Sequence, residues 1–142
     1  MAEMKFKFTI QPYQTEAVES VVGVFAGQPF NDHFTYRRDI EIKRDVTNWM
    51  LSDEELYMGF ANAKVQLDYG QLLNNIHRIQ ARNNIKLSDS LKSGGLGVCS
   101  LDVEMETGTG KTYVYIKTMF ELNKLYGWSK FIVVVPSIAI RE

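Results

Sequence analysis

The chain has 142 residues, 45% of them hydrophobic, with 16 Lys and Arg against 17 Asp and Glu for a formal net charge of -1; that is one domain or a piece of one, able to build a core. Balanced charge gives nucleic-acid binding no support from composition, and a single cysteine, Cys99, excludes an internal disulfide and suits a reducing compartment. No signal-peptide pattern opens the chain and no apolar run is long enough to cross a bilayer, so a soluble cytoplasmic protein is expected.

Residues Lys5 to Ile10 alternate as KFKFTI, which predicts a short edge strand with Phe6, Phe8 and Ile10 on one side. Pro12 then suits a first helical position. Tyr13, Ala17, Val21 and Phe25, broadened by Val18 and Val22, predict a helix that stops near Gly27 and packs Ala17, Val21 and Phe25 against a sheet. Gln14 lies at its beginning. Its amide either faces solvent or offers the paired donor and acceptor that an adenine edge requires.

Gln28 to Gly95 forms a long connection. Phe34 to Val46 alternates weakly, as one or two strands, and its mixed charge run Arg37 to Arg44 reads as a solvated strand face rather than a DNA track. Ser52-Asp53-Glu54-Glu55 is a capping-box pattern opening a short helix through Phe60. Asp68-Tyr69-Gly70-Gln71 is a second one, and Leu72, Leu73, Ile76 and Ile79 carry its helix to about Gln80, with Asn83-Asn84 as the stop. His33 and His77 have no second ligand at metal spacing and read as surface or packing residues.

Leu96 to Met105 predicts a strand, interrupted by Asp102 and Glu104, that feeds Thr107-Gly108-Thr109-Gly110-Lys111-Thr112. Two glycines permit a tight turn and close approach, a lysine offers an ammonium and a threonine a hydroxyl for Mg²⁺: the parts of a phosphate-cradling loop at a helix start. The general pattern asks for glycine where Met105 stands. The plainer alternative is a Thr/Gly turn capping a helix with an exposed lysine. Glu104 and Glu106 read as surface carboxylates, because an acid against a triphosphate repels it unless a metal intervenes. Tyr115, Ile116, Met119, Phe120 and Leu122 then predict a helix with a broad apolar face on a sheet, ended near Lys124 and Gly127. Lys130 to Val135, closed by Pro136, predicts a buried second parallel strand.

METGTGKTYVYIKT followed by YGWSKFIVVVPSIAIRE resembles the start of the ATP-dependent subunit of type III restriction-modification enzymes, within the superfamily 2 DNA helicases and translocases, and QPYQTEAV resembles the glutamine-bearing adenine motif there. The resemblance implies an α/β fold: an incomplete, N-terminal RecA-like P-loop NTPase lobe over residues 1–142, with a parallel sheet and an insertion at 30–95 between the first helix and the P-loop. By position it implies that Gln14 recognises adenine, that Thr107, Gly108, Thr109, Gly110, Lys111 and Thr112 bind ATP, and that Lys111 and Thr112 serve catalysis, with Thr112 on Mg²⁺. Pro136, Ser137 and Arg141 would approach the nucleic-acid backbone.

The function so implied is the ATP-binding part of a DNA translocase and restriction endonuclease, with double-stranded DNA and a modification methyltransferase subunit as partners. The acidic DExx-type box, the second lobe and the nuclease are expected beyond Glu142, so this piece alone is expected to bind ATP without turnover and not to cut DNA. The alternatives are a superfamily 2 helicase lacking a nuclease, or a non-catalytic nucleotide-binding or interaction module.

Overall fold

In the computed structural model, the structure describes residues 9–31, 62–95 and 97–134. Three α-helices lie within them: α1 (Pro12–Gly23), α2 (Tyr69–Arg82) and α3 (Lys111–Tyr126). Each begins and ends for a local reason. Pro12 opens α1 directly after the extended Gln11, where the missing N–H of proline costs no helical hydrogen bond. At the start of α2 the Asp68 carboxylate accepts from the Gln71 backbone N–H at 2.8 Å, and the Gln71 side chain accepts from Asp68 N at 2.9 Å. That reciprocal pair satisfies two N–H groups the helix itself leaves open. The end of α2 turns through Asn84 at φ 54°, letting Ile85 N reach the Gln80 carbonyl at 2.8 Å.

Helix α1 packs against both α3 and α2, more extensively on α3. Val18 and Val22 from α1 meet Val114, Leu122 and Tyr126 from α3, with Trp128 just beyond it closing the core. Each such side chain contributes about 1.5–3 kcal/mol when fully withdrawn from water. Phe25 sets its ring edge-on to Trp128 at 5.0 Å and to Tyr126 at 6.4 Å, an arrangement that matches ring edge to ring face. Helix α3 can end here because Gly127 takes φ 74°, and a Cβ at that position would run into the Asn31 carbonyl oxygen.

Buried polar side chains splice the remaining segments to this pair of helices. Asn75 of α2 donates to the carbonyls of Val24 and Ala26 at 3.0 and 2.9 Å, satisfying acceptors that the end of α1 leaves open. Gln28 donates to Lys64 O and accepts from Gln66 N. Asn62 accepts from both Ser129 N and Lys130 N at 2.9 Å, and Trp128 Nε1 donates to Ala63 O at 3.1 Å. Residues 62–67 are thereby fixed beside the aromatic core without regular secondary structure.

The expected α/β architecture is overturned. Among the described residues there is no strand, so the parallel sheet of an incomplete RecA-like P-loop NTPase lobe is absent from them. A strand exists only by exchanging backbone hydrogen bonds with a neighbour, and neither 101–105 nor 130–134 forms such a ladder with another described segment. The apolar run at 131–134 accordingly stays in solvent, with Ile132 92% and Val134 87% exposed.

The helices bury only part of the faces the spacing predicts: Val18, Val22 and Leu122 enter the core and Ala17 and Phe25 pack against it. On α1 the buried residues are Gln14, Val18 and Val22, while Ala17 and Phe25 are half-buried and Val21 lines a groove. On α3 they are Val114, Thr118, Leu122 and Tyr126, leaving Tyr115, Ile116 and Phe120 exposed. A narrow helix-on-helix contact replaces the broad helix-on-sheet one. The strand expected at 5–10 falls mostly, and those expected at 34–46 and the helix at 52–60 fall entirely, outside the described residues.

Candidate functional site

The turn that precedes α3 is where the sequence concentrates its chemistry. Gly108 stands at φ 81° and Gly110 at φ 90°, both in the left-handed region that glycine enters without a Cβ penalty. Thr109 folds its hydroxyl onto the Glu106 carbonyl at 2.6 Å, tightening the turn. The Gly110 carbonyl then accepts from Val114 N at 3.1 Å, which begins the helical ladder.

Two side chains of α1 reach this turn. Gln14 Nε2 donates to the Thr109 carbonyl at 2.9 Å, and the Tyr13 hydroxyl donates to the same oxygen at 3.2 Å. Gln14 is only 5% exposed, and its Oε1 accepts from Gln11 N at 3.0 Å. A buried amide needs partners for donor and acceptor alike, and here one comes from the turn and the other from its own helix start. The two motif-like stretches are thus in direct contact. Thr107, Gly108, Lys111 and Thr112 are exposed, with Thr109 and Gly110 half-buried between them.

The arrangement presents an ammonium and a hydroxyl in the first turn of a 16-residue helix, where unpaired N–H groups and the helix dipole favour an anionic partner. Pro136, Ser137 and Arg141 lie outside the described residues. Tyr13, which the spacing places on the apolar stripe of α1, joins the same node through its hydroxyl; no spacing rule relates it to position 109.

Elsewhere the chemistry is sparse. A groove of ≈ 600 Å³ opens between α1, α2 and the segments 85–92 and 100–104, but its walls set Lys86 and Lys92 against Asp102 and Glu104, so no ligand charge is favoured. Cys99 is half-buried, and burial pushes its thiol above the ordinary value of 9.0, away from the reactive thiolate. His77 places Nε2 2.7 Å from the Ser88 carbonyl, a packing role.

The cofactor expectation is corrected with the fold. The expected ATP binding, P-loop chemistry and helicase or translocase motion imply a RecA-like sheet, and the described residues do not form one. No group of three or more His, Cys, Asp or Glu among them could hold a metal ion, so Mg²⁺ has no support beyond the Thr112 hydroxyl. The nucleotide-binding alternatives lose their footing on the same ground.

Residues 60–142 match the family model described as type III restriction enzyme, res subunit. Three characterised relatives are similar. The EcoP15I Res subunit of Escherichia coli is 35% identical over 137 residues, covering 94% of this chain and 12% of that protein. The EcoPI Res subunit of Escherichia phage P1 is 42% identical over 80 residues, or 56% of this chain and 8% of the relative. The StyLTI Res subunit of Salmonella typhimurium is 46% identical over 67 residues, or 47% and 7%. The matched chain therefore spans between 7% and 12% of the length of these relatives.

Proposed function

Since the chain belongs to the family of type III restriction enzyme Res subunits, we propose that it serves as a segment of a DNA-cleaving restriction subunit that works with a modification methyltransferase subunit. The observation that carries this reading is the family match over residues 60–142, reinforced by a relative that aligns across 94% of the chain. Catalysis then belongs to the complete polypeptide, of which this segment is a small part.

Within the segment, the site is the turn Thr107–Thr112 with Gln14 and Tyr13 behind it. Gln14 acts as a positioning residue, holding the Thr109 carbonyl. Lys111 and Thr112, exposed in the first turn of α3, supply the cation and hydroxyl that the complete enzyme uses. The test is cleavage of double-stranded DNA by the complete Res protein assembled with its modification subunit, with and without Lys111→Ala. Cleavage should be lost while assembly with the modification subunit persists. Cleavage at the unsubstituted rate would remove the turn from the working parts of the enzyme.

A further inference from the structure

Helix α2 carries a second feature that the turn at α3 does not use. From Tyr69 to Ser88 there is no Asp or Glu, while Arg78, Arg82 and Lys86 fall inside the stretch, in a chain whose formal net charge is -1. Asn74, Arg78 and Arg82 follow one another at four-residue steps, which stacks them on one side of the helix, about 6 Å apart along its axis. All three are exposed. The opposite stripe, Leu72 and Asn75 with the half-buried Ile76 and Ile79, faces the rest of the molecule.

Among the described residues no carboxylate pairs with these arginines. The ion pair present among the described residues is Lys117 with Glu121 on α3. Glu16 and Glu19 of neighbouring α1 therefore do not pair with the arginines. Arg82 makes one long hydrogen bond, to the Ser20 hydroxyl at 3.4 Å, while Arg78 has no hydrogen-bond or ion-pair partner among the described residues. Attraction of a cation to the C-terminal carbonyls of a helix accounts for Arg82, which lies in the last turn. It does not account for Arg78 or for the complete absence of acids along the stretch.

We infer that the Asn74–Arg78–Arg82 ridge is a surface that grips the phosphate backbone of double-stranded DNA. The inference rests on the Res-subunit reading, which makes DNA the polyanion at hand. Arginine forks match phosphate oxygens in pairs and an asparagine amide adds a neutral donor. None of these contacts needs to read a base, so the ridge sets position and grip rather than sequence.

The test is binding of a fluorescent DNA duplex by the complete Res protein, followed by anisotropy over a range of salt concentrations, for the unsubstituted protein, for Arg78→Gln/Arg82→Gln and for Arg78→Lys/Arg82→Lys. Each phosphate contact contributes about 0.9 to the slope of log affinity against log salt, so the glutamine pair should flatten that slope by about 2 and weaken binding of the order of tenfold per arginine at 0.1 M salt. The lysine pair should keep most of the slope. Because Arg78 has no partner among the described residues, the single Arg78→Gln should leave thermal unfolding unchanged and still flatten the slope by about 1.

Identical titrations for all variants would overturn the ridge while leaving the Res reading in place. Failure of the unsubstituted protein to bind any duplex would remove both. Unchanged DNA binding with loss of the modification subunit would overturn the inference in favour of an acidic protein surface.

Discussion

Gln14 Nε2 lies 2.9 Å from the carbonyl oxygen of Thr109, joining residues 95 positions apart, while Oε1 of the same amide caps the backbone of Gln11 at 3.0 Å. One buried side chain thus couples the beginning of α1 to the beginning of α3. Its two ends are not interchangeable: the turn demands a donor and the helix start demands an acceptor.

That polarity makes substitutions at position 14 distinguishable. Gln14→Ala removes both bonds and should lower stability by about 1–3 kcal/mol, the usual cost of leaving buried partners unsatisfied. Gln14→Glu keeps the acceptor but sets a carboxylate, which has no hydrogen to give at neutral pH, against the Thr109 carbonyl. It should therefore be at least as damaging as alanine despite its closer shape. Urea unfolding at pH 7 of the three proteins checks this, and a glutamate variant as stable as the parent would show that the amide is not held as described.

The two glycines of the turn should differ. Both hold left-handed backbone, but a Cβ at Gly108 meets no atom within 4 Å, whereas one at Gly110 would lie 2.5 Å from Gln14 Nε2. Gly108→Ala should cost only the left-handed penalty, about 1–2 kcal/mol. Gly110→Ala adds displacement of the Gln14 amide from Thr109 and should be clearly worse. Thermal unfolding gives the order directly; equal losses would mean that the side chain moves aside freely.

The helices were legible in the sequence because their signals are local. Pro12, the Asp68/Gln71 box and Gly127 each act within one turn, and each marks an end that the structure shows. The strands were misread because a strand is a property of two segments. The run at 131–134 has the apolar content of a central strand, but without a paired neighbour among the described residues it lies exposed. Which face of a helix is buried depends on what it meets, so Tyr115, Ile116 and Phe120 were assigned inward for a sheet that the described residues lack. Of the site, the glycine turn at a helix start was readable from residue types. The contacts from Gln14 and Tyr13 to one carbonyl were not, since they span most of the chain.

The ion pair on α3 has a pH signature on both sides of neutrality. Lys117 Nζ and Glu121 Oε1 are 2.7 Å apart at i, i+4 spacing. Their hydrogen bond first, and their mutual attraction second, raise the Lys117 ammonium above its ordinary 10.5, while the hydrogen bond is also the main cause holding the Glu121 carboxyl below its ordinary 4.5. The Glu121 contribution is therefore present above the unfolded carboxyl value and lost as pH falls through the lower folded one. The Lys117 contribution is present below the unfolded amine value and lost as pH rises through the higher folded one. Both groups meet solvent, so the effect is small and screened by salt. Glu121→Gln should shrink the stability difference between pH 7 and pH 3 in low salt and leave it unaltered in 1 M salt; the same difference for both proteins in low salt would show that the pair contributes nothing.

Tyr126 offers a separate alkaline signal. Its hydroxyl donates to the Val22 carbonyl at 3.1 Å across 104 positions, and its ring packs on both Phe25 and Trp128. Burial pushes the phenol above the ordinary tyrosine value of 10.0, because the phenolate would lose its water. In the unfolded chain the proton leaves first, so stability should fall as pH rises from the unfolded value through the higher folded one. Tyr126→Phe retains the ring contacts and removes both the hydrogen bond and the titration. At pH 7 it should cost about 1 kcal/mol, the net worth of one buried hydrogen bond. Above pH 10 that deficit should narrow, since the phenylalanine chain has no proton to surrender. Chemical unfolding of the two proteins at pH 7, 9 and 11 follows the narrowing, and a deficit that stays constant to pH 11 would mean that the Tyr126 phenol ionises as readily inside the fold as out of it.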